Sequence, residues 1–361
     1  MNKKGMVTLA LSMVLSLSLA ACSSGVKTAS DNGSVDVAKD NTPKELIIST
    51  FGFNEDLLKK NVYTPFEQNN NVKITVESGN NAERLNKIRL KANQIDVVLL
   101  SQSFAQQAID EGLIEKIDRS KIPNINNLFD IAKAPLGEEY GPAYTIGSSG
   151  IVYDKSTAKA PVESYADLWR DEFKGKISLP DITNTEGPMV LDYASKVGGA
   201  QKFDADKAFE QLTKLKPNVV KFYTKAADLA NMFSQREVSI ATTQNFSFET
   251  IKKANPNAVW VTPKEGSYAV VNTMNVVKGT KNKELGEKFI DWWLSEQVQK
   301  ANALAKVDSP VNKNVKLTAE EASGLTYGSD VINNLKSLDW KMVNQSMKTW
   351  IDRWNREVVA K

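Results

Sequence analysis

From Glu45 onward the apolar positions alternate between a strand-like and a helix-like period. Glu45–Ser49 is a short apolar run, and Asn54 opens a helical pattern through Leu57, Leu58, Val62 and Phe66. Val72–Val76 alternates as a strand. A helix follows Asn80-Asn81, with Leu85, Ile88 and Leu90 as its apolar positions. Asp96–Ser101 reads as a buried strand, and the helix after it runs through Ala105, Ala108 and Ile109 to a stop at Gly112. Such β-α-β-α-β-α alternation predicts a largely parallel sheet covered by helices on both faces.

The second half repeats the pattern. Strands are expected at Thr145–Tyr153, Lys176–Leu179, Val219–Tyr223, Val238–Thr242, Val259–Val261 and Ala269–Val277. Helices are expected at Tyr165–Trp169, Met189–Val197, Ala226–Gln235 and Glu284–Ala305, the last with Asn282 as its cap. Trp340, Val343, Met347, Trp350 and Trp354 recur at helical spacing, which predicts a closing amphipathic helix whose aromatic stripe faces a core.

Small polar residues gather where these strands end and helices begin. Open α/β sheets bind ligands outside the carboxyl ends of their strands, where helix N-termini offer free N–H groups. Thr50, Phe51, Phe53, Asn80, Ser101 and Gln102 are therefore candidate ligand contacts. The Ser and Asn residues among them also read simply as N-caps.

Composition narrows the chemistry. The chain has 361 residues, 41% of them hydrophobic, no histidine and one cysteine, Cys22. Imidazole relays, histidine zinc sites, CxxC pairs and internal disulfides are excluded. Lys and Arg total 46 against 43 Asp and Glu, without the basic stripe that marks a nucleic-acid partner.

The N-terminus joins Lys3 and Lys4 to an apolar stretch, Val7–Ala21, ending in Leu19-Ala20-Ala21-Cys22. This resembles a bacterial lipoprotein signal, with residues 1–21 removed and Cys22 as the lipid attachment point. Residues 22–44, rich in Ser, Asp, Asn and Lys, read as a flexible tether. The folded part is expected outside the cytoplasmic membrane, anchored to it by lipid.

Lys174-Gly175-Lys176-Ile177-Ser178-Leu179-Pro180-Asp181-Ile182-Thr183-Asn184-Thr185-Glu186-Gly187 and Pro263-Lys264-Glu265-Gly266 carry a wider likeness. With Asp96-Val97-Val98, Glu111–Asp118 and Pro310-Val311-Asn312, the chain resembles the extracellular solute-binding lipoproteins of bacterial ABC importers, in their spermidine/putrescine-binding-like branch. The resemblance implies a two-lobed α/β fold of the type II periplasmic-binding-protein kind. Each lobe would be a mostly parallel sheet with flanking helices, joined by hinge strands, with the solute in the cleft between. By that analogy lobe 1 is 45–145 plus 273–315 and lobe 2 is 146–272 plus 316–361. The implied partners are a small solute and the permease and ATPase subunits; a monomer without cofactor or metal is expected.

Site positions carry over unevenly. Asp181 matches a carboxylate of the polyamine branch, Phe51 and Phe53 fall in its aromatic first loop, and Ser101 and Phe104 match its Ser-x-aromatic region. Thr242-Thr243-Gln244-Asn245 stands where that branch has a Trp, and Val270-Val271-Asn272 where it has an aromatic and an Asp. The remaining polar set, Asp181, Asn184, Thr185, Glu186, Tyr223, Asn245 and Asn272, suits a small polar or zwitterionic solute. Asn272-Thr273-Met274-Asn275 also resembles binders of opines and amino-acid derivatives. Polyamine and amino-acid-like amines are thus both expected classes, with a thiamine-type cation or a sensory role as alternatives.

A hydrolase is the chemical rival. Ser156-Thr157-Ala158-Lys159 matches SxxK, but the accompanying penicillin-binding motifs are missing from the globular part. Asp181 and Glu186 could in principle pair as glycosidase carboxylates, and no Tyr-Tyr pair suggests ferric iron.

Overall fold

The computed structural model describes residues 43–360 apart from 53, 92–93 and 226. The expected signal, Cys22, nearly all of the tether and Phe53 lie outside the described residues.

The strands are β1 (Lys44–Thr50), β2 (Val72–Ser78), β3 (Val97–Ser101), β4 (Ala143–Asp154), β5 (Ile177–Pro180), β6 (Val219–Tyr223), β7 (Ile240–Gln244), β8 (Ala258–Val261) and β9 (Tyr268–Val276). They lie in the order β2-β1-β3-β9-β4-β7-β5-β6, with β8 against β4. Among the described residues, the helices of eight residues or more are α1 (Asn81–Lys91), α2 (Gln102–Asp110), α3 (Gly187–Val197), α4 (Ala205–Leu215), α5 (Ala227–Ser234), α6 (Lys283–Leu294), α7 (Glu296–Leu304) and α8 (Trp340–Arg353).

Pairing direction separates two regions. β1 runs parallel to β2 and β3, and β5 runs parallel to β6 and β7, as helical crossovers require. The strand pairings of β4 and β9 with β3, β7, β8 and each other are antiparallel. These two long strands join the parallel sets: β9 pairs with β3 through Asn272–Val276 and with β4 through Tyr268–Thr273. Thr145 on β4 also makes an isolated antiparallel bridge to Pro310.

Each set has its own core. The first packs Leu46, Phe66, Leu99, Met274, Phe289 and Trp293 together, and a smaller cluster behind β3 holds Leu85, Ile88 and Leu100. The second packs Leu179, Leu191, Phe209, Ile240, Trp350 and Trp354. Trp340, Val343, Trp350 and Trp354 are buried there, as the closing stripe predicts. Burial of such side chains contributes roughly 1.5–3 kcal/mol each.

Local departures have physical causes. The expected single helix Glu284–Ala305 is two, α6 and α7, because Ser295 adopts ψ 148° and its hydroxyl accepts from Val298 N. Asn282 does not cap α6 with its side chain; it donates instead to Asp96 and to the Glu45 carbonyl. Tyr165–Trp169 forms a 3₁₀ segment closed by a Ser164–Asp167 capping box. Leu90 is 83% exposed, so the buried side of α1 is Arg84, Leu85 and Ile88.

Candidate functional site

The strand ends of the first lobe converge. Thr50 closes β1, Ser101 closes β3, and Ser101 pairs with Asn272, which in turn faces Thr145 on β4. Paired residues share a face, so Ser101 and Asn272 lie on the side of the sheet that also carries Leu99 and Met274. On that side is a cavity of about 20 Å³, walled by Thr50, Phe51, Leu99, Tyr144, Trp293 and Asp308, with Leu58 and Val307 completing it. Tyr144 sits at a register shift between Ala143 and Thr145 and packs edge-on against Trp293, ring centroids 5.3 Å apart.

Asp308 brings a carboxylate to this wall. Its surroundings push the carboxyl up to about 7 by desolvation, opposed by a hydrogen bond with Thr145. Burial and the nearby Asp308 charge raise the Tyr63 and Tyr144 phenols above their ordinary range, so both stay protonated.

Arg84 stands behind Phe51. Its guanidinium carbon lies 3.5 Å from the Phe51 ring centroid, and Nη2 donates to Asn81 Oδ1 at 2.7 Å. The residue is fully buried, and Nε and Nη1 find no acceptor among the described residues. Burial lowers its pKa to about 10, which leaves it charged at neutral pH.

The predicted second-lobe residues have protein partners. Asp181 Oδ1 accepts from Thr183 N and Oγ1, and Oδ2 accepts from Trp354 Nε1 at 3.2 Å. Asn184 donates to the Thr224 carbonyl and accepts from Glu186 N; Thr185 is half-buried between them. Glu186 precedes α3 and is buried, accepting from Ser149 Oγ and from Tyr223 OH at 3.3 Å. Desolvation lifts its carboxyl to about 7 against those hydrogen bonds. The loop turns tightly because residue 187 is glycine: a Cβ there would meet the Ile182 carbonyl oxygen at 2.4 Å. The same Tyr223 hydroxyl proton is shared with the Thr242 carbonyl, at 2.9 Å from the phenol oxygen.

The structure thus gathers Thr50, Phe51 and Ser101 at strand ends of the first lobe, with Asn272 paired to Ser101 where β9 crosses from the second, and Asp181, Asn184, Thr185 and Tyr223 around one loop of the second. Asn245 ties β4 to the segment before α8, accepting from Ser148 N and donating to the Gly324 carbonyl. Gln102 turns to the Pro135 carbonyl, and exposed Asn80 forms a reciprocal cap with Glu83. Ser156 Oγ donates to Asp154 in a turn. Contacts between the lobes include Asn344 on α8 donating to the Ser103 carbonyl at 2.9 Å and Thr326 N donating to Ser309 Oγ at 2.9 Å.

Arg84, Tyr144 and Asp308 were not expected from the sequence. Asp308 directly precedes the Ser309-Pro310 pair, and a carboxylate beside a chain crossing was the available signal. Arg84 adjoins Leu85 on a helix whose charged positions read as solvated. Among the described residues no group of three or more His, Cys, Asp or Glu is placed to hold a metal, and no helix is long and apolar enough to cross a membrane.

Known proteins share this architecture and sequence. A crystal structure of an ABC transporter from Clostridium perfringens is 46% identical with a TM-score of 0.80, covering 87% of this chain and 99% of that one. Spermidine/putrescine-binding periplasmic protein 1 of Haemophilus influenzae is 29% identical over 252 residues, 66% of this chain and 68% of that protein. The spermidine/putrescine-binding periplasmic protein of Escherichia coli K12 is 30% identical over 217 residues, 58% of this chain and 61% of its own length. With residues 61–325 matching the model of the bacterial extracellular solute-binding proteins, the chain belongs to that family.

Proposed function

We propose that this protein is the extracytoplasmic receptor of an ABC importer and captures a small amine-bearing solute between its lobes. The observation that carries the reading is Asp308: a carboxylate facing a cavity whose other walls include the Phe51 and Tyr144 rings. An alkylammonium group needs an anionic oxygen for its charge, and aromatic faces attract cations. The spermidine and putrescine binding named for the relatives supports the same solute class.

A cavity of about 20 Å³ has room for about one water. Its walls all belong to 45–145 plus 273–315, so it forms one face of the cleft, and the solute enters when 146–272 plus 316–361 rotates away from that face about β4 and β9. Cys22 carries the lipid anchor, the receptor acts as a monomer that delivers to a permease and its ATPase, and the solute leaves chemically unchanged.

Calorimetry and thermal shift against diamines, polyamines and amino acids test this. An amine should raise the melting temperature and be recovered intact. Its affinity should rise with pH through about 7, as the Asp308 carboxyl gives up its proton. Absence of binding by every amine, or recovery of an altered compound, would contradict the proposal.

A further inference from the structure

We propose that the first lobe holds an anion-binding half-site centred on Arg84, so that the solute is a zwitterion with a carboxylate- or phosphonate-type head as well as its amine. The amine half rests on the function proposed above; the anion half stands on Arg84 alone.

Arginine stays charged when buried, and leaving its donors unmatched away from water is costly. Arg84 is fully buried, has no ion pair within 4 Å among the described residues, and uses only Nη2, toward a neutral carboxamide. That carboxamide oxygen is already shared with Ser101 N. The neighbouring carboxylate, Glu83, is committed to Asn80 N at 2.8 Å. Nε and Nη1 therefore remain as unmatched N–H donors, and one of them joins the second Nη2 hydrogen along a guanidinium edge, the two-donor geometry that matches a carboxylate or a phosphonate.

Arg84 stands directly behind the cavity wall. Arg84 stacks on Phe51, which lines the cavity, and its Asn81 partner holds the end of β3, where α2 begins. Ligands of open α/β sheets sit beyond such strand ends, and helix N-termini there add positive potential. Tyr144 interacts electrostatically with both Arg84 and Asp308, yet these two form no ion pair with each other. A cation and a carboxylate flanking the same aromatic wall, neither neutralised by the other, complement the two ends of a zwitterion. A diamine would instead bring its second ammonium group toward Arg84.

The test compares probes of matched stem on the intact chain: putrescine, γ-aminobutyrate and aminopropylphosphonate, with butyrate and propylphosphonate as amine-free anions, and the same series one and two carbons longer. By calorimetry the wild type should bind at least one zwitterion about tenfold or more tighter than the diamine of its stem. Arg84→Gln should weaken that zwitterion by about tenfold to a hundredfold and erase the preference. Arg84→Lys, which keeps the charge without the fork, should retain part of it. Because the wild-type ranking needs no variant, a misfolded substitution leaves the inference testable. Diamines bound as tightly as their zwitterionic partners at every length would overturn the anion half-site and leave the amine receptor standing. So would a preference that survives unchanged in both variants. Binding of an amine-free anion that is lost in Arg84→Gln, with no gain from an amine, would uphold the half-site and overturn the amine reading. Failure of every probe to bind would overturn both.

Discussion

The polar candidates of the two lobes are partnered on opposite principles. In the second lobe each polar candidate with a defined partner spends its hydrogen bonds on its own fold: Asp181 on Thr183 and Trp354, Asn184 on Thr224, Tyr223 on Thr242 and Glu186. In the first lobe Arg84 keeps unmatched donors, and the half-buried Asp308 stands at a cavity, hydrogen-bonded to the Thr145 hydroxyl. A polar residue that the fold already satisfies gains little from a solute, whereas an unmatched buried charge gains much. On the function proposed above, the contrast assigns the second lobe the part of a shaped support and the first lobe that of charge selection.

Titration separates the roles most strongly. Glu186 is held at about 7 against an ordinary 4.5. Between those values the folded chain keeps a proton that the unfolded chain has lost, so stability falls as pH rises through that window and levels off above it. Glu186→Gln should remove this component, worth roughly 3 kcal/mol at most, and flatten the profile of melting temperature between pH about 4.5 and 7. An unchanged profile would show that Glu186 ionises in the folded state without cost, and the support role would lose its basis. Asp308 contributes a slope of the same sign, so some pH dependence should persist in Glu186→Gln.

Smaller effects sharpen the same division. Asp181→Ala removes an acceptor for three donors and should cost about 1–3 kcal/mol of stability in denaturant unfolding. Asn80→Ala removes a reciprocal cap on α1 and should cost about 1 kcal/mol, with solute affinity preserved. A large loss of affinity from Asn80→Ala would move this exposed side chain from cap to contact.

What was readable in the sequence follows the range of the forces involved. Strand and helix periods are local, so the alternation from Glu45 to Gly112 and the Trp stripe of α8 emerged directly. The break at Ser295 was hidden because Trp293, Leu294 and Val298 keep a helical spacing across it, although Ser295-Glu296 is itself a start signal. α4 was missed even though Asp204 caps it and Phe209, Leu212 and Leu215 form its buried face. At the site, Thr50, Phe51, Ser101 and Asn272 were accessible because ligands collect at strand ends. Asp308 was not: the chain returns its neighbour Ser309 to the Thr145 hydroxyl from 164 positions away, a distance that no spacing rule spans. Arg84 was equally hidden, since burial of a charge beside an apolar face is a property of the packed lobe rather than of α1. The resemblance drew attention to Asp181, the residue whose oxygens the fold itself occupies.

The most direct measurement is calorimetric affinity for the tightest-binding amine in two single variants, Asp308→Asn and Asp181→Ala, at pH about 8. Asp308→Asn should lose about tenfold to a hundredfold, and its affinity should no longer rise through pH about 7, while Asp181→Ala should stay within about threefold of the wild type. The reverse order, with Asp181→Ala abolishing binding and Asp308→Asn leaving it intact, would contradict the assignment of charge selection to the first-lobe wall.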